Sequence, residues 1–476
     1  MSSEIAPHIW IPEPRLSFHP ERDADCDVHP LRGLLRFGPH SAGLVPGPIR
    51  VATIAPAGDG EKLYAFMREL NSNFKPTERK DYLLPWPGFN TVFGVHMKGA
   101  ATGCHVQLDD QLERDFESSP TPHVVLAERL VRAIQSLEGR RAEFDVLFIY
   151  IPTRWARGYF GGPADDFDLH DHLKAITAAR RLPIQLVRED KAVAYPHRAS
   201  VMWRIGLALY AKAGGVPWKL AEADPDTAYI GISYAVRPLD SDRPRFVTCC
   251  SQVFDSEGSG LEFVAYDAHD VEVQRDNNPF LSRIEMFRVM TRSLDLYRRR
   301  RAGRTPRRVI VHKSTEFKNE EVEGCMEALH LCETVDLVQV VESVSWRGAR
   351  IIPDRDASSA KGVPAAFPVP RGTVLSLGHR EALLWMHGDV QGVNERGSYF
   401  QGARSTPRPI RLVRHAGHGP WDETARSALA LSKMNWNNDA LYDPLPVTMG
   451  YAQVLARVVK RMSGLGNAPY QFRYFM

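Results

Sequence analysis

"AYIGISYA" (residues 228–235) is an apolar run that reads as a buried strand with one serine, Ser233, set into it. Gly231, Ser233 and Ala235 come within one residue of the G-x-S-x-G nucleophile elbow, which would make Ser233 a hydrolase nucleophile. An elbow requires the chain to turn straight from strand into helix. Here "YAVRPLDSDRPRF" (234–246) follows, and Pro238 and Pro244 oppose a helix at that point. No glycine-rich oxyanion segment lies upstream. The elbow reading is therefore disfavoured.

The order of elements around the stretch suggests another role. "AYIGISYA", "RFVTCCSQVF" (245–254) and "LEFVAYDAHDV" (261–271) read as three strands joined by turns. A long helix over about 279–302 and the strand "RRVIVHKS" (307–314) come next. Three antiparallel strands, a helix and a further strand is the order of a ribonuclease H-like core. Such cores cleave phosphodiesters with two metal ions held by carboxylates on the first and fourth strands. The first-strand position here is Ser233, and "VIVHKSTEF" (309–317) offers His312, Lys313 and Ser314 with no carboxylate before Glu316. Serine is a poor ligand for Mg²⁺, which wants charged oxygen donors. The scaffold reads as a nuclease without its acids. The remainder mixes strands ("LVQVVES", "TVLSLG", "IRLVRH") with helices around 421–434 and 447–462.

Upstream the pattern differs. "IRVATIAP" (49–56), "FDVLFIYIP" (144–152) and "LPIQLV" (182–187) read as strands. "EKLYAFMREL" (61–70), "VVLAERLVRAIQSL" (124–137), "LHDHLKAITAAR" (169–180) and "VMWRIGLALYAKAGG" (201–215) read as helices between and after them. Alternation of this kind predicts a parallel-sheet α/β domain. Residues 1–48, rich in Pro, His and Gly, read as an irregular lead-in.

At 476 residues the chain exceeds one ordinary core, so two domains are expected. No apolar run reaches the length of a membrane span, and "MSSEIAPHIWIPEP" has neither the basic start nor the apolar stretch of a signal peptide. Six cysteines without a C-x-x-C pair suit a reduced, cytoplasmic setting. Cys249 and Cys250 fall in a core strand, and Cys325 and Cys332 are expected on one face of a helix, as packing residues. A net charge of +3 does not argue for nucleic acid by itself. The densest basic run, "LYRRRRAGRTPRR" (296–308), is either a helix C-terminus complementing its own dipole or a phosphate-backbone patch. "DDFDLHDH" (165–172) could hold a metal through His170 and His172, but acids at a helix start are commonly caps.

"YIGISY", "RVIVHKS" and "KMNWNNDALYDPLPVTMGYAQVLARVVKRM" (433–462) resemble the PIWI domain of Argonaute proteins. The stretch with "FDVLFIYIP", "LPIQLV" and "LYAKAGGVPW" is similar to their MID domain. The combination of "NWNN" with "LPVT" and "YA" close behind is specific. The resemblance runs from about residue 49 to the end and leaves no room for the N-terminal and PAZ domains of long Argonautes, so the chain looks like a short prokaryotic one. It implies an α/β architecture with a Rossmann-like MID domain (49–222) followed by a ribonuclease H-like PIWI domain (223–476).

Carried over residue by residue, active PIWI domains have aspartates where this chain has Ser233 and Ser314. Their last ligand, an Asp or His, matches Gln453. The mobile glutamate falls near "EVQRDNNP" (272–279), where neither Glu272 nor Asp276 aligns. The resemblance thus implies a PIWI domain that does not slice, and no enzyme activity in this chain. The MID residues that grip a guide 5′-phosphate match His170, Lys174, Gln185 and Lys212. Residues four apart share a helix face, so His170 and Lys174 can address one anion. In the family the C-terminal carboxylate, here that of Met476, often joins through a Mg²⁺ ion shared with the guide phosphates.

The function so implied is that of a guide-binding, target-sensing subunit in prokaryotic antiviral defence. It would take a 5′-phosphorylated small guide RNA and recognise complementary single-stranded DNA, with the protein fixing the guide backbone while base pairing reads sequence. As a heterodimer with an APAZ-containing effector, it would switch on NAD depletion by a sirtuin-type partner, favoured over TIR. Two alternatives stay open: a guide-directed nuclease with an atypical set such as Glu316, Asp276 and Asp443, and a serine hydrolase at Ser233.

Overall fold

The computed structural model describes residues 8–43, 45–78, 82–162, 165–222, 224–236, 247–254, 262–274, 278–342, 344–352, 362–365, 369–393, 398–400, 406–462, 465 and 469–476. Side chains are not described at Val247–Phe254, so the surroundings of Cys249 and Cys250 lie outside the described residues. Two sheets carry the fold, as the two alternation patterns predict.

The smaller sheet is built from β1 (Ile49–Pro56), β2 (Met97–Gly99), β3 (His105–Leu108), β4 (Val146–Ile151) and β5 (Ile184–Arg188). All its pairings are parallel, in the order β2-β1-β4-β5 with β3 also on β1. Every residue of β4 is buried, as expected for a parallel strand covered on both faces. Helices α1 (Gly60–Glu69), α2 (Pro122–Ser136), α3 (Leu169–Ala179) and α4 (Arg198–Lys212) complete this Rossmann-like unit.

Among the described residues the larger sheet has ten strands. β6 (Thr227–Val236), β7 (Val247–Phe254) and β8 (Glu262–Ala268) form an antiparallel meander. The helix α5 (Arg283–Arg300) then returns the chain, and β9 (Arg308–Lys313) lies parallel to β6. After α6 (Asn319–Ala328), β10 (Thr334–Val341) lies parallel to β9. The resulting order β8-β7-β6-β9-β10 is that of a ribonuclease H-like core. The sheet continues through β11 (Thr373–Ser376), β12 (Glu381–Leu384) and β13 (Ile410–Ala416), with β13 antiparallel against β10. Helices α7 (Trp421–Leu431) and α8 (Val447–Val459) follow.

Helix α8 crosses β6 at Gly231. A Cβ there would sit 2.2 Å from the carbonyl oxygen of Thr448, so only glycine lets the helix backbone come this close. β6 runs straight through Ser233 to Val236, and the sharp strand-to-helix corner of an elbow does not form.

Three expectations need correction. Residues 1–48 are not an irregular lead-in: His8–Trp10 pairs antiparallel with β11 at the edge of the large sheet, and Pro30–Phe37 is a helix. Glu13 is buried against Arg371 (3.0 Å) and Lys433 (2.5 Å), and their charges outweigh its burial and hold its carboxyl below the usual range. A buried carboxylate with two long-range partners cannot be read from local pattern. Second, Cys325 and Cys332 do not share a helix, because α6 ends at Ala328. Third, the long helix begins at Arg283, capped by the Ser282 hydroxyl, while Pro279–Leu281 forms a short strand. The basic run after it is tied into structure. Arg298 donates to Thr305, Arg300 pairs with Glu262 (3.0 Å), Arg307 with Asp224 (3.0 Å) and Arg308 with Asp336 (2.7 Å). Arg298, Arg299 and Arg300 fill the last turn of α5, whereas Arg307 and Arg308 lie beyond it. Among the described residues no helix is long and apolar enough to cross a membrane.

Glu13→Gln removes the anion from two buried cations and is expected to cost about 3–5 kcal/mol. Gly231→Ala is expected to cost about 3 kcal/mol or more by forcing α8 off β6. Urea denaturation of each variant against the parent chain checks both.

Candidate functional site

The helix α3 starts where Asp168 accepts a hydrogen bond from the Asp171 amide at 3.1 Å, an N-cap of the ordinary kind. That cap aims the first turns of α3 at β5 and at the end of α4. One turn apart on α3, His170 is half-exposed while Lys174 is only 1% exposed. Lys212, in the last turn of α4, is 2% exposed. The four residues expected to grip a phosphate are thus brought together across three elements.

Their hydrogen bonds define the pocket. The Lys174 ammonium donates to the Ile184 carbonyl (2.9 Å) and to the main-chain oxygen of Met476. The Lys212 ammonium donates to the Gln185 side-chain oxygen, and the Gln185 amide nitrogen donates to the Leu186 carbonyl (3.0 Å). Among the described residues no side-chain carboxylate pairs with either amine. Burial, reinforced by the charge of Lys212, pushes Lys174 well below its ordinary value, and burial brings Lys212 down to about 7. Two buried amines, Lys212 facing a neutral amide oxygen and Lys174 held by the Ile184 carbonyl and the oxygen of the last residue, form a site suited to an anion.

Sequence reasoning missed the brace on this pocket. Asp171 sits 3.1 Å from the His170 ring and 3.4 Å from Arg457 on α8, and Asp166 pairs with Arg461 (2.7 Å) and Lys460. Arg457 lies 286 positions from Asp171, beyond any local signal. Ligand atoms of Asp168, His170 and Asp171 lie within 4.8 Å of one another, but the cap and these ion pairs already account for the acids. His172 faces Phe167 rather than His170 (rings 5.3 Å apart).

The second set of positions lies in the large sheet. Ile232 pairs with Lys313, so Ser233 and Ser314 follow side by side at the same end of parallel strands. The Ser233 hydroxyl donates to the Ala452 carbonyl (2.8 Å), one residue before Gln453, whose amide donates to Glu342 (3.0 Å). Ser233, Ser314 and Gln453 therefore converge as a ribonuclease H-like centre would. Beneath them, Lys313 and Glu321 form a fully buried pair at 2.6 Å, and Glu321 also accepts from Tyr234 and from the Leu281 and Lys318 amides. His312 is buried with Nδ1 2.8 Å from the Thr448 hydroxyl, and burial brings it down to about 4.

The atypical acids fare differently. Asp443 accepts from Asn435 (2.7 Å) and Asn438 (2.8 Å) within the loop before α8, and Glu316 is exposed. Asp276 lies outside the described residues, while Glu272 is in the short strand Val271–Val273.

The fold is that of Argonaute proteins. The chain superposes on Clostridium butyricum Argonaute bound to a guide DNA and a 19-mer target DNA with a TM-score of 0.64 at 13% identity, covering 98% of this chain and 54% of that one. Aquifex aeolicus Argonaute matches at 0.60 and 14%, covering 99% and 57%, and the same protein with externally bound siRNA at 0.62 and 14%, covering 100% and 56%. The chain thus spans about half the length of the solved structures it matches. No protein-family model matches the sequence, and no curated protein matches it.

Lys212 is protonated in the unfolded chain up to its ordinary value but loses its proton near pH 7 when folded. The unfolded state therefore binds more protons between about pH 7 and 10, and stability without a bound anion should rise through that window. Lys212→Met should flatten the rise, as read from urea midpoints across pH.

Proposed function

We propose that this chain is the guide-binding and target-sensing subunit of a prokaryotic immune complex. It holds the 5′-phosphate of a small RNA guide among His170, Lys174, Gln185 and Lys212, and the loaded guide pairs with single-stranded DNA. The observation that carries this reading is the pair of buried amines, Lys174 and Lys212, gathered beside Gln185 with no side-chain carboxylate paired to either among the described residues. A terminal phosphate carries about −1.5 to −2 charges near pH 7 and several acceptor oxygens, which matches two ammonium groups, an imidazole and an amide. Binding a dianion favours the protonated form of Lys212, which burial brings down to about 7, so guide affinity falls as pH rises above 7.

The Ser233, Ser314 and Gln453 positions carry no charged oxygen donor for a catalytic Mg²⁺, which supports a subunit that senses without slicing. Enzymatic output then belongs to a second subunit, an APAZ-containing effector whose sirtuin-type or TIR domain depletes NAD. A Mg²⁺ ion at the guide end would be held by the Met476 terminus beside Lys174 and would supply further positive charge toward the guide phosphates.

Lys174→Ala combined with Lys212→Ala should weaken 5′-phosphorylated guides by about 100-fold or more, and 5′-hydroxyl guides far less. Equal losses for both guides in filter binding sink the pocket assignment. The guide-loaded chain with Mg²⁺ should leave a matched DNA target uncut on a denaturing gel. Cutting there would restore the nuclease reading, and cutting that survives Ser233→Ala would also remove the centre assigned above.

A further inference from the structure

The end of the large sheet that carries Ser233 and Ser314 is bordered by a loop with no role so far. Strand β10 ends at Val341, and the next residue, Glu342, holds Gln453. Val341 pairs with Arg411, beside Ile410, which pairs with Leu384, so Trp385 lies at this same end of the sheet. A Cβ on Gly348 would lie 2.9 Å from the Trp385 ring and 3.0 Å from Val369, which shows how closely the loop is seated there. The Ala365 amide donates to the Arg350 carbonyl (2.8 Å) and fixes its far side.

On this anchored loop, Trp346 is 49% exposed, a large aromatic surface left uncovered. Arg347 and Arg350 are exposed beside it, and among the described residues neither has an acidic partner. We propose that Trp346, with Arg347 and Arg350, is a stacking platform for the unpaired bases of a single strand laid across this end of the sheet. An aromatic face accepts any base, and flanking guanidinium groups meet the phosphates. Ile351 and Ile352 extend the exposed patch, which makes a protein surface the competing occupant. The two arginines, with no carboxylate partner among the described residues and Arg347 held in place by the Ser345 and Trp346 carbonyls, favour a polyanion. The proposal rests on nucleic acid being the ligand of this chain, as above.

The test uses the full chain and two fluorescein-labelled probes: oligo-dT without a guide, and complementary DNA with a 5′-phosphorylated RNA guide. Trp346→Ala should weaken both by about 5- to 100-fold, with Trp346→Phe retaining most of the affinity. Arg347→Gln with Arg350→Gln should flatten the salt dependence. Guide loading itself should be unchanged in Trp346→Ala, so a failed phosphate pocket is separable from a failed platform. The platform is overturned if Trp346→Ala stays within about twofold of the parent on both probes. It is likewise overturned if the parent binds neither probe, or if Trp346→Ala alters only self-association or protein partner binding.

Discussion

Everything about the site depends on one close approach, the Thr448 carbonyl of α8 lying over Gly231 of β6. Because the backbones touch there, the helix sits low on the sheet and its length spans both functional regions. Near that contact, Thr448 meets His312 and the Ala452 carbonyl takes the Ser233 hydroxyl. Farther along, Arg457, Lys460 and Arg461 reach Asp171 and Asp166 beside the phosphate pocket. One rigid element thus joins the Rossmann-like unit to the ribonuclease H-like one.

The two regions solve opposite electrostatic problems. In the ribonuclease H-like unit the buried Lys313 is neutralised internally by Glu321, and Glu321 is saturated by amides and a tyrosine hydroxyl. A buried charge with this many partners is structural. In the pocket, Lys174 and Lys212 are as deeply buried but have no side-chain carboxylate paired to them among the described residues, so burial lowers their proton affinity. The contrast between a satisfied and an unsatisfied buried lysine separates framework from binding site.

Much of this was legible in advance because the signals are local. The strands at 49–56 and 228–235 and the helices at 201–215 and 447–462 follow from apolar periodicity. The MID-like set followed from a four-residue helix spacing and from family resemblance. The lead-in failed because short strands and a half-buried helix gain their stability from distant partners, as Glu13 does from Arg371 and Lys433. The helix over 319–328 stopped short of Cys332 although spacing by sevens suggested a shared face.

The sequence by itself determined the element order, the absence of aspartates at 233 and 314, and which four side chains could meet a phosphate. Element order is a matter of residue type and short-range spacing, while the four side chains and the two vacated positions come from the family resemblance. Only the tertiary structure decided that Lys174 and Lys212 are buried with no side-chain carboxylate paired to them among the described residues, and that α8 braces His170 through Asp171. It likewise decided that Ser233, Ser314 and Gln453 meet at one end of a sheet. Burial and long-range pairing depend on which surfaces the folded chain brings into contact, and no local pattern encodes that. "AYIGISYA" accordingly changes meaning: its glycine seats the helix, and its serine ties the strand to that helix through the Ala452 carbonyl.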